Sequence, residues 1–217
     1  MDTLPTLETP IKYSKEFLDL IRDIKRFIAL LKNNDIDFEL PELASSNELI
    51  KLWEEERRPV ANFINQGGTI LDFGCANGFL LRCFQEWSKY KLDPYGIDPN
   101  NQRIKEAKEV IYPNLPDHFL SNEENPTQGF PKSFNIIYWN IWDNWIKDPN
   151  NKDVGLYFSK IYQSLCPGGR IIFGLYNDSI EANLEGVKKL ENDFNLSFKE
   201  VHTTSLGRVI VFLDKPN

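Results

Sequence analysis

The chain is poor in the residues that build metal, thiol and membrane chemistry. Two histidines occur in 217 residues, His118 and His202, far apart in the chain. Neither has a carboxylate or thiol at metal-ligand spacing, so both read as structural or surface residues and no metal site is expected. The three cysteines, Cys75, Cys83 and Cys166, are odd in number and lack metal-type spacing, which favours reduced thiols and a cytoplasmic setting. No apolar run approaches the roughly 20 residues that span a bilayer. The opening MDTLPTLETP has neither the basic nor the apolar region of a secretory signal. Basic residues are in deficit, and a net charge of −7 argues against a non-specific grip on nucleic acid or on an anionic membrane. Internal repeats and low-complexity tracts are missing too.

What is present is the composition of a globular protein, 41% hydrophobic and 26% charged, long enough for one domain with an appendage. Its most informative stretch is Thr69 to Leu81, TILDFGCANGFLL. A short apolar run ends in Asp72, turns through Gly74, Ala76 and Gly78, and opens a helix bearing Leu80, Leu81, Phe84 and Trp87. A second run, Tyr95-Gly96-Ile97, ends in Asp98. Strand, glycine turn, helix and strand put a carboxylate at the carboxyl end of each strand, where ligands sit in an open parallel sheet. Glycines let the backbone approach a ligand, and free N–H groups at the helix start favour an anionic group. Asp98 suits two vicinal ribose hydroxyls. The pattern points to a nucleoside-like cofactor. A dinucleotide is disfavoured: its fingerprint is G-x-G-x-x-G, whereas the small residues here are 74, 76 and 78, and Asp72 would repel a pyrophosphate.

Around this unit the chain divides in two. Residues 1–64 read as an N-terminal helical extension: a loose leader, a helix from Ser14 to about Asn34, a connector, and a second helix behind a Ser45/Glu48 capping box that should break near Arg58, before Pro59. Residues 65–217 alternate strands and helices. Strands are expected at Ile70–Phe73, Tyr95–Asp98, His118–Ser121, Asn135–Asn140 and Arg170–Tyr176, with helices at 78–89, 101–111, 153–165 and 179–192. Ser197–Thr204 and Arg208–Leu213 should close the chain as a hairpin around Gly207.

An acid followed by small residues at 74, 76 and 78, then Asp98, resembles motif I and the following acid of the Rossmann-like (class I) S-adenosylmethionine-dependent methyltransferases. Ala76 stands where the family form has a middle glycine. LCPGGRIIFGLYN (165–177) is similar to the family's L-x-P-G-G segment before its fifth strand. The resemblance implies a doubly wound α/β fold, a mostly parallel seven-stranded sheet with a C-terminal antiparallel hairpin and N-terminal helices, and S-adenosylmethionine as cofactor. It also implies site roles. Gly74, Cys75, Ala76, Asn77 and Gly78 wrap the methionine part, with Asp72 facing its ammonium group; Asp98 takes the ribose; Pro99 and Ile141 line the adenine; Asn122 meets the adenine amine; Asn140 lies near the methionine part. The N-terminal helices commonly form a lid over the acceptor pocket in this family.

The acceptor is less legible. Trp139, Trp142 and Trp145 crowd the segment that follows the fourth strand. Their sharp reading is an aromatic wall for a flat or cationic acceptor, and their plain reading is core packing, which is favoured. Asp143 is a weak candidate for a catalytic base. The Asn-Pro-Pro-Tyr type motif of some amino-methylating relatives is missing. The expected function is methyl transfer by direct displacement to a small-molecule acceptor, with nucleic acid and membrane not expected as partners. The alternative is a non-catalytic binding or scaffolding protein of the same fold.

Overall fold

The computed structural model describes residues 11–34, 45–121, 130–131, 133–141, 153–176, 179–198, 200–204 and 207–217. Short polar side chains set where its helices begin. Ser14 accepts from the Phe17 N–H at 3.2 Å and starts α1 (Lys15–Ile21). The single helix expected from Ser14 to Asn34 is interrupted, because Asp23 begins a second one. Its carboxylate accepts from the Arg26 N–H at 2.9 Å and its carbonyl from the Phe27 N–H at 2.8 Å, starting α2 (Ile24–Asn34). The Ser45/Glu48 capping box is formed and opens α3 (Ser46–Arg57). The chain then tightens into a 3₁₀ turn over Arg58–Phe63, where Pro59 has no N–H to donate.

Seven strands form one sheet: β1 (Gly68–Phe73), β2 (Leu92–Ile97), β3 (Phe119–Leu120), β4 (Phe134–Ile141), β5 (Leu165–Leu175), β6 (Val201–Thr203) and β7 (Val209–Asp214). Their order is β3-β2-β1-β4-β5-β7-β6, and only β7 runs antiparallel to its neighbours. The hairpin expected at the end is the β6–β7 pair. β5 starts earlier than expected: Leu165 already pairs with Phe134, and a bulge carries Pro167-Gly168-Gly169 before Ile136 meets Arg170. The intervening helices are α4 (Phe79–Trp87), α5 (Asn101–Glu106), α6 (Asp153–Gln163) and α7 (Ile180–Phe194). The helix expected over 101–111 is α-helical only to Glu106, and continues as a π turn over Ala107–Ile111.

Alternation along the strands separates two cores. Ile70, Ile136, Tyr138 and Ile172 pack with Phe17, Phe27, Leu30, Trp53, Phe79 and Phe84. Leu71, Phe73, Ile137, Trp139 and Phe173 pack with Phe158, Ile161, Val187 and Leu190 of α6 and α7 on the other face. The first core therefore draws on α1, α2 and α3 as fully as on α4. Phe79 meets Phe17, Phe27 and Trp53, with ring centroids 5.9, 5.7 and 6.1 Å away. The N-terminal helices lie along α4: Ser14 donates to Glu86 and accepts from Arg82, and Trp87 donates to the Tyr13 hydroxyl, which in turn donates to Glu54 of α3. Asn34, the last residue of α2, reaches the turn after β1.

Candidate functional site

The strand order reverses between β1 and β4, so a crevice opens at their carboxyl ends, the usual ligand position in such sheets. Asp72 lies in β1 at its edge, and Asp98 directly follows the adjoining β2. Asp72 is level with Gly96 on β2 and Tyr138 on β4. Its apolar neighbours Leu71 and Phe73 face the second core, which turns the carboxylate toward the first. There it is 1% exposed, and its Oδ1 has no hydrogen-bond partner among the described residues. Burial, followed by the nearby Asp98 charge, pushes its carboxyl pKa up to about 8. A buried acceptor left unsatisfied costs roughly 1–3 kcal/mol, so the position favours a donor, and a cationic one most.

Asp98 is 5% exposed and fully engaged with the backbone. Its Oδ2 accepts from the Ala76 N–H at 2.9 Å and its Oδ1 from the Asn100 N–H at 2.8 Å. Each oxygen keeps a second lone pair for a ligand hydroxyl. Asp98 does not cap α5. That is done by Asn100, whose Oδ1 accepts from the N–H groups of Gln102 and Arg103 at 3.0 and 3.2 Å.

The turn between the carboxylates is tightly wound. Gly74 and Gly78 have φ of +87° and +75°, and Ala76 adopts the left-handed region at +50°. A Cβ on Gly74 would enter open space, whereas one on Gly78 would stand 3.1 Å from Phe119 and 3.3 Å from Tyr112. Gly74 thus leaves a recess beside Asp72, while Gly78 serves packing. The sequence led us to expect free N–H groups at the helix start, and five amides of the turn and the first helical residue are engaged within the protein. Gly74 and Cys75 both donate to the Ile97 carbonyl (2.8 and 2.9 Å), Ala76 to Asp98, Gly78 to the Cys75 carbonyl (2.8 Å), and Phe79 to the Asn77 Oδ1 (3.2 Å). The turn folds back onto the end of β2, and these five amides hold that shape.

The remaining sequence candidates divide. Asn140, next to last in β4, lies on the same face as Tyr138, and its buried Oδ1 has no hydrogen-bond partner among the described residues. Pro99 is exposed next to Asp98. Ile141 lies 1% exposed in the second core, away from the face that carries Asp72. Cys75 is buried with its thiol pKa raised by burial, and Asn77 is wholly buried. Trp139 packs against Phe73 and Phe173 at 5.1 and 6.1 Å, the plain reading. Asn122, Trp142, Asp143 and Trp145 lie outside the described residues. His118 stacks on Tyr95 at 4.0 Å and bonds the Pro94 carbonyl, and His202 pairs with Glu200. Among the described residues no cluster of metal-ligating side chains occurs, and no helix is long and apolar enough to cross a membrane.

Several contributors escaped the sequence reading. A Cβ on Gly96 would stand 2.6 Å from the Cys75 sulfur and 2.8 Å from Phe119, so this glycine lets the turn settle on β2. A glycine inside a strand is the available signal for such close approach. Gly174, level with Asn140, likewise makes room for Tyr138 and Tyr176, whose hydroxyls are 3.5 Å apart. The Arg57 guanidinium lies 3.8 Å from the Tyr176 ring centroid.

Comparison with known proteins agrees with this geometry. Residues 46–202 match a family model described as a methyltransferase domain. Among curated proteins no sequence match reaches significance. The N-methyltransferase NodS from Bradyrhizobium japonicum is a structural neighbour at 13% identity and a TM-score of 0.57, covering 80% of this chain and 100% of its own. An S-adenosylmethionine-dependent methyltransferase from Aquifex aeolicus aligns over 94% of this chain and 99% of its own, at 16% identity and 0.53. A putative one from Methanococcus maripaludis covers 82% and 98%, at 16% and 0.54. These identities speak for the fold, and the match over most of the chain speaks for the lineage. With the sheet order and the acid–turn–acid arrangement, they make this chain a member of the Rossmann-like class I methyltransferase family.

Proposed function

We propose that the protein transfers a methyl group from S-adenosylmethionine to a small-molecule acceptor. The observation that carries the reading is the buried Oδ1 of Asp72, without a partner among the described residues, beside the open space at Gly74 and with Asp98 one strand away. Asp72 suits the ammonium group of the methionine part, which would draw off the proton that burial otherwise retains. The free lone pairs of Asp98 suit the two ribose hydroxyls. Gly74 leaves room for the main chain of the ligand, Pro99 offers an apolar surface for the adenine, and the Asn140 amide bounds the methionine end.

The cofactor supplies a methyl on a sulfonium, already a good leaving group. What the chain then has to provide is alignment, exclusion of water and, for some acceptors, proton removal. Holding two reactants in line is worth on the order of 7–11 kcal/mol in favourable cases. Tyr138, Tyr176 and Arg57, on the face that carries Asn140, would border the acceptor side, and Asp143 is retained as the candidate base. The acid balance of the chain, −7 overall, supports a small acceptor over a polyanion. Residues 1–64 are read as an extension that completes the site from one side.

Thermal shift with S-adenosylhomocysteine and with NAD tests the cofactor. The reading requires stabilisation by the first and none by the second. A labelled-methyl screen over metabolite, protein and RNA pools then tests the acceptor, and label confined to RNA or protein would replace the small-molecule assignment.

A further inference from the structure

Asn77, in the middle of the glycine turn, spends its whole side chain on tethers. Its Nδ2 donates to the Leu30 carbonyl at 2.9 Å and to Glu106 Oε2 at 2.8 Å. Its Oδ1 accepts from Asn34 Nδ2 at 2.8 Å and from the Phe79 N–H at 3.2 Å. Leu30 and Asn34 belong to α2, and Glu106 ends α5, where the helix widens into its π turn, a device that often marks functional positions. Asn33 also donates to Glu106 Oε2, at 3.1 Å. Two residues on, Phe79 is held by aromatic rings of α1, α2 and α3. On the other side of Asn77 sits Ala76, left-handed, its N–H on Asp98. Such a conformation costs an L-residue about 1–2 kcal/mol. It persists where its surroundings over-determine it. The turn is thus gripped from one end by the ribose-site carboxylate and from the other by the N-terminal extension.

We propose that Asn34 and Glu106 are positioning residues that act through Asn77 to hold the glycine turn in its ligand-ready shape. Cofactor occupancy and the docking of α2 are therefore thermodynamically linked. The inference rests on the cofactor site proposed above. Linkage is reciprocal: whatever α2 docking adds to cofactor affinity, the cofactor adds to α2 docking.

The test is calorimetry with S-adenosylhomocysteine on the full chain and its Asn34→Ala, Glu106→Ala and Glu106→Gln variants, together with amide hydrogen exchange over residues 27–34 of the unmodified protein. Asn34→Ala and Glu106→Ala should weaken binding roughly fivefold or more. Glu106→Gln should recover most of it, because its amide oxygen still accepts from Asn77. Saturating ligand should slow exchange in α2. Should the alanine variants fold poorly, exchange in the unmodified protein decides alone. Equal binding by all four proteins with unchanged α2 exchange would reduce the network to a structural one, whatever the melting temperatures do, and would leave the cofactor reading standing. No binding to the unmodified protein would remove that reading and the linkage together.

Discussion

At the scale of single residues, the two acids have opposite environments. Asp98 is satisfied by two backbone donors, and Asp72 has an oxygen with none among the described residues. Asp98→Ala should therefore act twice, removing the ribose acceptor and releasing the Ala76 amide. Calorimetry should show at least a tenfold loss of S-adenosylhomocysteine affinity, since hydrogen bonds to charged groups are worth about 1.5–3 kcal/mol. Asp72 sets a pH dependence. Its carboxyl is pushed up to about 8, so between the ordinary carboxylate range and that value the folded state binds more protons than the unfolded chain. Its contribution to stability is fully present in acid and is lost as pH rises through about 8. The ligand's ammonium favours the ionised form, so the stabilisation conferred by S-adenosylhomocysteine should grow over the same range. Melting curves from about pH 5 to about pH 9, with and without ligand, measure both trends, and Asp72→Asn should flatten them.

These two residues and the glycines around them were legible because each follows an apolar run at the end of a strand. The amide economy of the turn was not. Whether an N–H is free depends on what the chain meets after folding back, and the Ile97 carbonyl lies more than twenty positions downstream. Asn77 read as a ligand contact, yet its partners Leu30, Asn34 and Glu106 come from two distant helices that no local spacing joins. The place of Ile141 in the second core has a different origin. Strand alternation gives Asn140 to one face and so commits its neighbour to the other.

Among the elements, the capping box at Ser45 and the proline break after α3 came straight from local chemistry. The division of the first helix at Asp23 did not, because its apolar periodicity runs through the interruption. Gly96 carries a clear prediction for the β2–turn contact. Gly96→Ala places a methyl against Cys75 and Phe119 at distances that real side chains do not adopt. A loss of about 1–3 kcal/mol in urea unfolding is expected, as for other overpacked cores. The N-terminal helices carry the larger prediction. A lid over the strand ends should be removable without harm to the cofactor site. Here Phe17, Phe27, Leu30 and Leu31 are buried in the core that also holds Phe79. Phe27→Ala alone should lower stability by about 3–5 kcal/mol, measured by chemical denaturation. Deletion of residues 1–43 should cost cofactor binding as well as transfer, and retention of binding by the shortened protein would restore the lid.

For the molecule as a whole, topology decides what arrives when. Among the described residues β6 has β7 as its sole neighbour, and β7 is also what closes the open flank of β5. During synthesis β6 leaves the ribosome first and has nothing to pair with until Val209 to Asp214 follow. Until then β5 is an exposed apolar edge of the kind that recruits other chains. A nascent chain stalled inside the β6–β7 loop should therefore aggregate or engage chaperones, whereas one stalled after Asp214 has emerged should not.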